Sequence, residues 1–149
     1  MSDLREYISQ VKKIKELKTI KSKVSTKYEI AGVTAKVDQS HAVLFENIKE
    51  SDFRLVSNLV GTRKRFALAV GGTENNIHQK VISAIKNAKT PKIIPTGKFM
   101  ENKSKNINSM PIVTHFEKES GPFITSSVAY AKNPETGKQN SSFHRMMPI

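Results

Sequence analysis

The chain contains no cysteine and no tryptophan. Without thiols there can be no disulfide, no thiolate zinc site, no cysteine-ligated iron–sulfur cluster and no cysteine nucleophile. Aromatic residues make up only 7% of the 149 positions, which leaves few platforms on which single-stranded nucleic acid could stack. No apolar run approaches the roughly 20 residues of a membrane span, and the first residues lack the apolar centre of a signal peptide. The expectation from these absences is a cytoplasmic protein. Acidic residues are also scarce: 13 Asp and Glu stand against 25 Lys and Arg, a net charge of +12. The excess is spread out, with nine basic and four acidic residues over 1–37, ten and five over 38–100, and six and four over 101–149. Such charge favours anionic partners, whether nucleic acid, a phosphate-bearing cofactor or an acidic companion chain, and does not select among them.

What is present is enough for one domain with a core, or one domain and part of a second. Hydrophobic residues are 37% of the chain and mean hydropathy is −0.44. Leu4, Ile8, Val11, Ile14 and Leu17 recur at three- and four-residue spacing, which predicts an amphipathic helix over 3–18 with Ser2 as N-cap and Asp3 at its positive end. Lys18–Val24 reads as a short edge strand. Thr26-Lys-Tyr-Glu29 has the form of a capping box opening a helix to about Val37. Ala42–Phe45 and Phe53–Leu59 read as short buried strands. Thr62 caps a helix over Arg63–Val70, closed by Gly71-Gly72. Thr73 caps another over Glu74–Ala88, with Ile77, Val81, Ala84, Ile85 and Ala88 as its inner stripe. Pro91 and Pro95 interrupt regular structure, and 98–109 is a polar linker. Met110–Phe116 is a strand entering a second unit.

That second unit ends in a hairpin. Phe123–Ala131 and Gln139–Met147 flank Asn133-Pro134-Glu135-Thr136-Gly137, where Pro fixes φ near −65° and Gly supplies positive φ for a four- to five-residue loop. The second run spends Asn140, Ser142, His144 and Arg145 on a strand otherwise suited to a core, a density of polar groups that points to a polar ligand. Asn140 offers an amide oxygen to a hard cation, or serves the turn. Arg145 offers a planar fork to a carboxylate, or pairs at the surface. Their odd offset puts them on opposite faces of a regular strand, so facing one ligand together would require a bulge between Ser141 and His144. Gly61-Thr-Arg-Lys-Arg65 could hold phosphate at a helix start, but it lacks the Walker pattern and a structural role is the alternative. His41, His78 and His115 lack ligand spacing.

The string GPFIT, then PETG, then Asn140-Ser141 and Arg145-Met146 resembles the flavin-side hairpin of the UbiD-type decarboxylases. Val56–Arg65 and Ala42–Asn47 resemble that family's N-terminal domain. The likeness runs from Asp3 to the last residue and covers only the N-terminal portion of the family. It implies an α/β (α+β) fold: a small α/β domain over 1–97, the linker 98–109, and over 110–149 the first strands of a flavin-binding split β-barrel. It implies reversible non-oxidative decarboxylation of an α,β-unsaturated or aromatic acid with prenylated FMN and manganese, or potassium. By the same resemblance Arg145 is catalytic and flavin-facing. Asn140 helps hold the metal at the flavin phosphate, and Ser142, Phe143 and Thr125 contact the cofactor. The Ser-Phe-His-Arg wording is closer to the archaeal branch associated with anhydromevalonate phosphate.

The family's remaining metal ligands and catalytic glutamates lie downstream of this hairpin, and none of Glu117, Glu119 and Glu135 matches them. The chain ends mid-strand on this reading. The expectation is therefore an N-terminal fragment or subunit, inactive alone, whose site a second polypeptide completes within an oligomer around a small carboxylic acid substrate. The rival expectations are a non-catalytic assembly subunit docking an acidic partner and, less favoured, a basic nucleic-acid-binding domain.

Overall fold

The computed structural model describes residues 3–90, 92–97 and 100–149. Its first helix, α1 (Leu4–Lys13), is capped by Asp3, whose carboxylate accepts the Glu6 amide at 2.8 Å. Ser2, expected as the cap, lies outside the described residues, as does Pro91. The helix stops short of residue 18 because Lys15 turns into the left-handed region at φ 60°. The Glu16 amide then bonds back to the Val11 carbonyl at 3.1 Å, a wrapped end that satisfies a carbonyl of the last turn. Glu16 is thereby carried off the helix.

Strand β1 (Leu17–Ile20), helix α2 (Glu29–Lys36) and strand β2 (Ala42–Phe45) form a parallel β-α-β unit, and β3 (Leu55–Ser57) pairs antiparallel on the other side of β2. The central strand reads Ala-Val-Leu-Phe, a continuous apolar run of the kind that suits a strand covered on both faces. Val43 and Phe45 pack with Val24, Ile30, Ile48 and Val113, while Ala42 packs with Tyr7 and Val11 on the opposite side. The capping box expected at Thr26 is not formed. The Glu29 carboxylate takes the Ser25 amide at 2.6 Å, Glu50 takes the Thr26 amide at 2.9 Å, and Tyr28, at φ 69°, precedes the helix without a side-chain cap.

Helix α3 (Arg63–Ala69) begins at Thr62 as expected, the hydroxyl accepting the Arg65 amide at 3.3 Å. Helix α4 (Ile77–Lys86) begins later than the sequence pattern suggests: Asn76, not Thr73, is at its cap, and its amide oxygen accepts the Thr73 N–H at 2.7 Å. The stripe read as inner is largely outside. Ile77 is buried, but Val81 and Ile85 are 39% and 74% exposed. Amphipathic spacing identifies an apolar face, and only the first turn of this one finds the core.

Residues 110–116 do not form the expected strand. Pro111 has no amide to donate, and the His115 amide goes to the Glu119 carboxylate at 2.8 Å. The segment makes isolated bridges instead, Thr114 to Lys27 and Val113 to Phe123. Through them it joins the α/β unit to a two-stranded antiparallel ladder of β4 (Ile124–Lys132) and β5 (Gln139–Met146). Strand β5 ends at Met146. No closed barrel is present among the described residues. Within 98–109, Lys98 and Phe99 lie outside the described residues, and Ile107–Ser109 form a single 3₁₀ turn.

Candidate functional site

The hairpin loop is built as the sequence chemistry requires. The Asn133 side chain accepts the amides of Glu135 and Thr136, both at 2.8 Å, and Gly137 sits at φ 67°. The Asn133 amide reaches the Lys138 carbonyl at 2.9 Å, which fixes the register Lys132↔Gln139. From there Asn140 pairs with Ala131, Ser142 with Ala129 and His144 with Ser127. Strand alternation then sorts the candidate residues. Asn140, Ser142 and His144 share one face, and Phe143 and Arg145 lie on the other.

The structure therefore does not bring Asn140 and Arg145 together, and the bulge between Ser141 and His144 that facing one ligand would require is absent. The irregularity is in the facing strand: the register steps from Ser127↔His144 to Ile124↔Met146, so Thr125 and Ser126 together oppose Arg145. A third candidate, Thr125, is thus placed opposite Arg145. Of the candidates on β5, only Ser142 is even half-buried.

On the Arg145 side, Val128 pairs directly with Phe143, and Tyr130 stands two residues along the same face. Phe143 is 87% and Tyr130 71% exposed. A contiguous apolar and aromatic surface with a cation at one end is unusual to leave in water. It can receive a flat, largely apolar group that carries an anion. The Arg145 guanidinium lies over the Phe123 ring, 4.5 Å from Cζ to the centroid. Neither Phe123 nor Tyr130 was singled out from sequence, where each reads as an ordinary strand residue. The signal was there in the aromatic just before the β4 start.

A wide open groove of about 1910 Å³ runs between this hairpin and the α/β unit. It is walled by α2 and β3 on one side and by residues 102–113 and 123–126 on the other, with Thr125 on its border. On the other face of the hairpin, Asn140 contributes an oxygen donor without the company a metal needs. Among the described residues no cluster of three or more His, Asp or Glu could hold an ion.

The Gly61–Arg65 segment takes the structural alternative. Arg65 is wholly buried, its Nη1 donating to Glu16 Oε2 at 3.1 Å and to the Ser40 carbonyl at 3.0 Å. Lys64 meets the other oxygen of Glu16 at 2.6 Å. The Lys64 hydrogen bond is the main force holding the Glu16 carboxyl below its ordinary range, against burial that pushes it up, with Arg65 adding to the lowering. The Tyr7 hydroxyl donates to the Arg65 carbonyl at 2.8 Å, and its burial raises the phenol above its usual value. Gly61 is needed for close approach, since a Cβ there would collide with the Asn58 side chain, which holds the carbonyls of Asp38 and His41. Lys64 and Arg65 are thus committed to Glu16, and Arg63 donates to the Glu74 carbonyl at 3.2 Å.

Comparison with known proteins gives a consistent picture. Residues 8–85 match the family model described as the 3-octaprenyl-4-hydroxybenzoate carboxy-lyase N-terminal domain, and residues 89–149 match that of the carboxy-lyase Rift-related domain. The anhydromevalonate phosphate decarboxylase of Methanothermobacter thermautotrophicus is 31% identical over 148 residues, 98% of this chain and 34% of that protein. A 4-hydroxybenzoate decarboxylase subunit from Chlamydia pneumoniae is 26% identical, over 98% of this chain and 29% of its own length. Among solved structures, an evolved dimeric form of the enzyme HmfF from Pelotomaculum thermopropionicum, in complex with prFMN, superposes with a TM-score of 0.88 at 27% identity. It covers 99% of this chain and 36% of that one. The chain thus spans about a third of the length of the relatives it matches.

Proposed function

The chain belongs to the UbiD carboxy-lyase family, and from that membership we propose that it forms the cofactor-facing N-terminal part of a decarboxylase acting on an unsaturated or aromatic acid. The observation that carries this reading is the matched Rift-related segment, which contains the whole hairpin with its exposed apolar face and terminal arginine. In this reading residues 1–97 are the α/β domain, 98–109 the linker and 110–149 the partial cofactor-binding segment.

The residues present suit one part of the implied site and not another. The face carrying Val128, Tyr130, Phe143 and Arg145 suits a flavin, which is flat and apolar and bears a phosphate. The metal does not fit on these residues alone, because a hard divalent cation takes about six oxygen donors and Asn140 supplies one. Its site, manganese or potassium, would need ligands from outside this chain. Prenylated FMN, when bound, supplies the electron sink for loss of CO₂. The protein's part here is recognition: Phe143 and Thr125 border the cofactor, Ser142 offers a hydroxyl from the Asn140 face, and Arg145 holds the carboxylate through paired N–H donors. The glutamates to which the resemblance assigns proton transfer are not matched by Glu117, Glu119 or Glu135. A second polypeptide or subunit would supply them, in keeping with one relative being named as part of a multi-chain decarboxylase. The likeness to an anhydromevalonate phosphate decarboxylase favours a phosphorylated unsaturated acid as substrate, and the net charge of +12 suits such an anion.

The test is reconstitution of this chain with a polypeptide carrying the remaining two-thirds of the family fold, prenylated FMN and Mn²⁺. Decarboxylation should appear only in the mixture. Arg145→Ala should lower it by about 30- to 140-fold, the worth of a charge-assisted paired hydrogen bond of roughly 2–3 kcal/mol. Full activity in the Arg145→Ala mixture would refute the assignment. A second reading, a non-catalytic assembly subunit for an acidic partner, is favoured by the uncovered apolar residues of α4 and by the net charge of +12. It predicts a mixture that assembles without turning over.

A further inference from the structure

We infer that Phe123 is the positioning residue for Arg145, an inference that rests on the cofactor-facing reading of the hairpin and extends it to a residue outside the expected set. The guanidinium carbon stands 4.5 Å from the Phe123 ring centroid, well within cation–π range. Among the described residues no carboxylate is paired with Arg145. The difference between these two ways of holding an arginine is chemical. A salt bridge consumes the fork of N–H donors, whereas stacking on a ring uses only the flat face and leaves all five donors free at the edge. An arginine held by a ring is therefore oriented and still able to clamp an incoming carboxylate or phosphate.

The ring is well placed to do the holding. The Phe123 amide donates to the Val113 carbonyl at 3.1 Å, and Val113 is itself 8% exposed within the core that includes Val43 and Phe45. Phe123 is thus tied to the α/β unit, while Arg145 sits near the free end of β5 on a flexible stem. The bulge completes the arrangement. Because Thr125 and Ser126 share the position opposite Arg145, no single residue there makes the usual direct cross-strand pair. Its contact is instead with the aromatic at the entrance to β4. Phe123 in this way links the core to the orientation of the cation at one end of the apolar face.

The experiment uses the chain with ¹⁵N,¹³C-labelled arginine. Phe123→Leu keeps apolar bulk and removes the ring, Phe123→Tyr keeps the ring, and Phe123→Met serves if the Leu variant misfolds. Two quantities are read: the ring-current shift of the Arg145 side-chain signals, and the affinity for FMN by fluorescence titration. The expected result is loss of the shift with a fall of about two- to fivefold in FMN affinity for Leu or Met, and retention of both for Tyr. Arg145 signals that are the same in the wild-type and Leu chains overturn the inference. So does a lost shift with FMN affinity unchanged while Arg145→Ala lowers it. FMN affinity unaffected by Arg145→Ala overturns the cofactor reading instead, and a shift that vanishes only without the ring still upholds the pairing.

Discussion

Glu16→Gln keeps the shape of the side chain and removes the charge that faces a buried arginine. In the native structure Glu16 Oε2 lies 3.1 Å from Arg65 Nη1 and Oε1 lies 2.6 Å from Lys64 Nζ. Nε and Nη2 of Arg65 have no partner among the described residues, so the carboxylate is its main compensation. Breaking a buried pair by removing one partner costs about 3–5 kcal/mol. Here the cost is smaller: the Glu16 side chain is 18% exposed, the glutamine keeps one acceptor, and Arg65 retains the Ser40 carbonyl. About 2 kcal/mol remains, a sizeable share of the roughly 5–15 kcal/mol that stabilises a domain. At about 2–4 °C per kcal/mol this lowers Tm by about 4–8 °C. The effect has a pH signature. Glu16 is held below the ordinary 4.5 of a glutamate, chiefly by the Lys64 hydrogen bond. A carboxyl depressed on folding contributes stability that is present above its unfolded value and lost as pH falls through its folded value. Urea unfolding of the two chains should differ at pH 7 and converge in acid below that range. A difference under about 0.5 kcal/mol at pH 7, or a full difference persisting in acid, would refute this account of Arg65.

Other expectations follow from burial and backbone geometry. Ile77→Ala, in the buried first turn of α4, should cost about 2–3 kcal/mol in urea unfolding, whereas Ile85→Ala, 74% exposed, should cost less than about 0.5 kcal/mol. Equal losses would mean that α4 is packed along its length. Gly137→Ala places a side chain at φ 67° and should destabilise by about 1–2 kcal/mol, read as faster amide exchange in β4 and β5 than in β2. Tyr7→Phe removes the hydroxyl that donates to the Arg65 carbonyl and should cost about 1 kcal/mol; no loss would show that the bond contributes nothing net.

The core strand Ala42–Phe45 and the hairpin were legible because their signals are local: a continuous apolar run in one, and an Asn-Pro-Glu-Thr-Gly loop in the other. The capping box at Thr26 failed because Glu50, arriving from 24 residues away, takes the Thr26 amide, while Glu29 takes that of Ser25. The extent of α1 was misjudged for a related reason: the apolar spacing continues past Lys13, and a left-handed Lys15 is not written in periodicity. The burial of α4 failed differently. A stripe shows which face is apolar and not whether anything covers it. At the candidate site, residue identity was readable and face was not. The alternation of β5 separates Asn140 from Arg145, and the bulge that re-aims the surroundings of Arg145 sits in β4, a matter of pairing between strands. The buried Arg65 was hidden by its sequence neighbours, since Arg63-Lys64-Arg65 reads as one surface cluster until the fold gives the third member to Glu16.

The central claim is that this hairpin contacts a phosphorylated flavin through Arg145 on one face while Asn140 offers an oxygen to a metal from the other. Paramagnetic broadening tests it most directly, using the ¹⁵N-labelled chain in the reconstituted mixture with FMN and Mn²⁺ and a Mg²⁺ control. The account predicts that the Asn140 side-chain amide broadens away only when FMN and Mn²⁺ are both present, with shifts at Thr125, Phe143 and Arg145 in the Mg²⁺ sample. Sharp Asn140 signals, with broadening at Glu29, Glu50 or other exposed carboxylates instead, would contradict it.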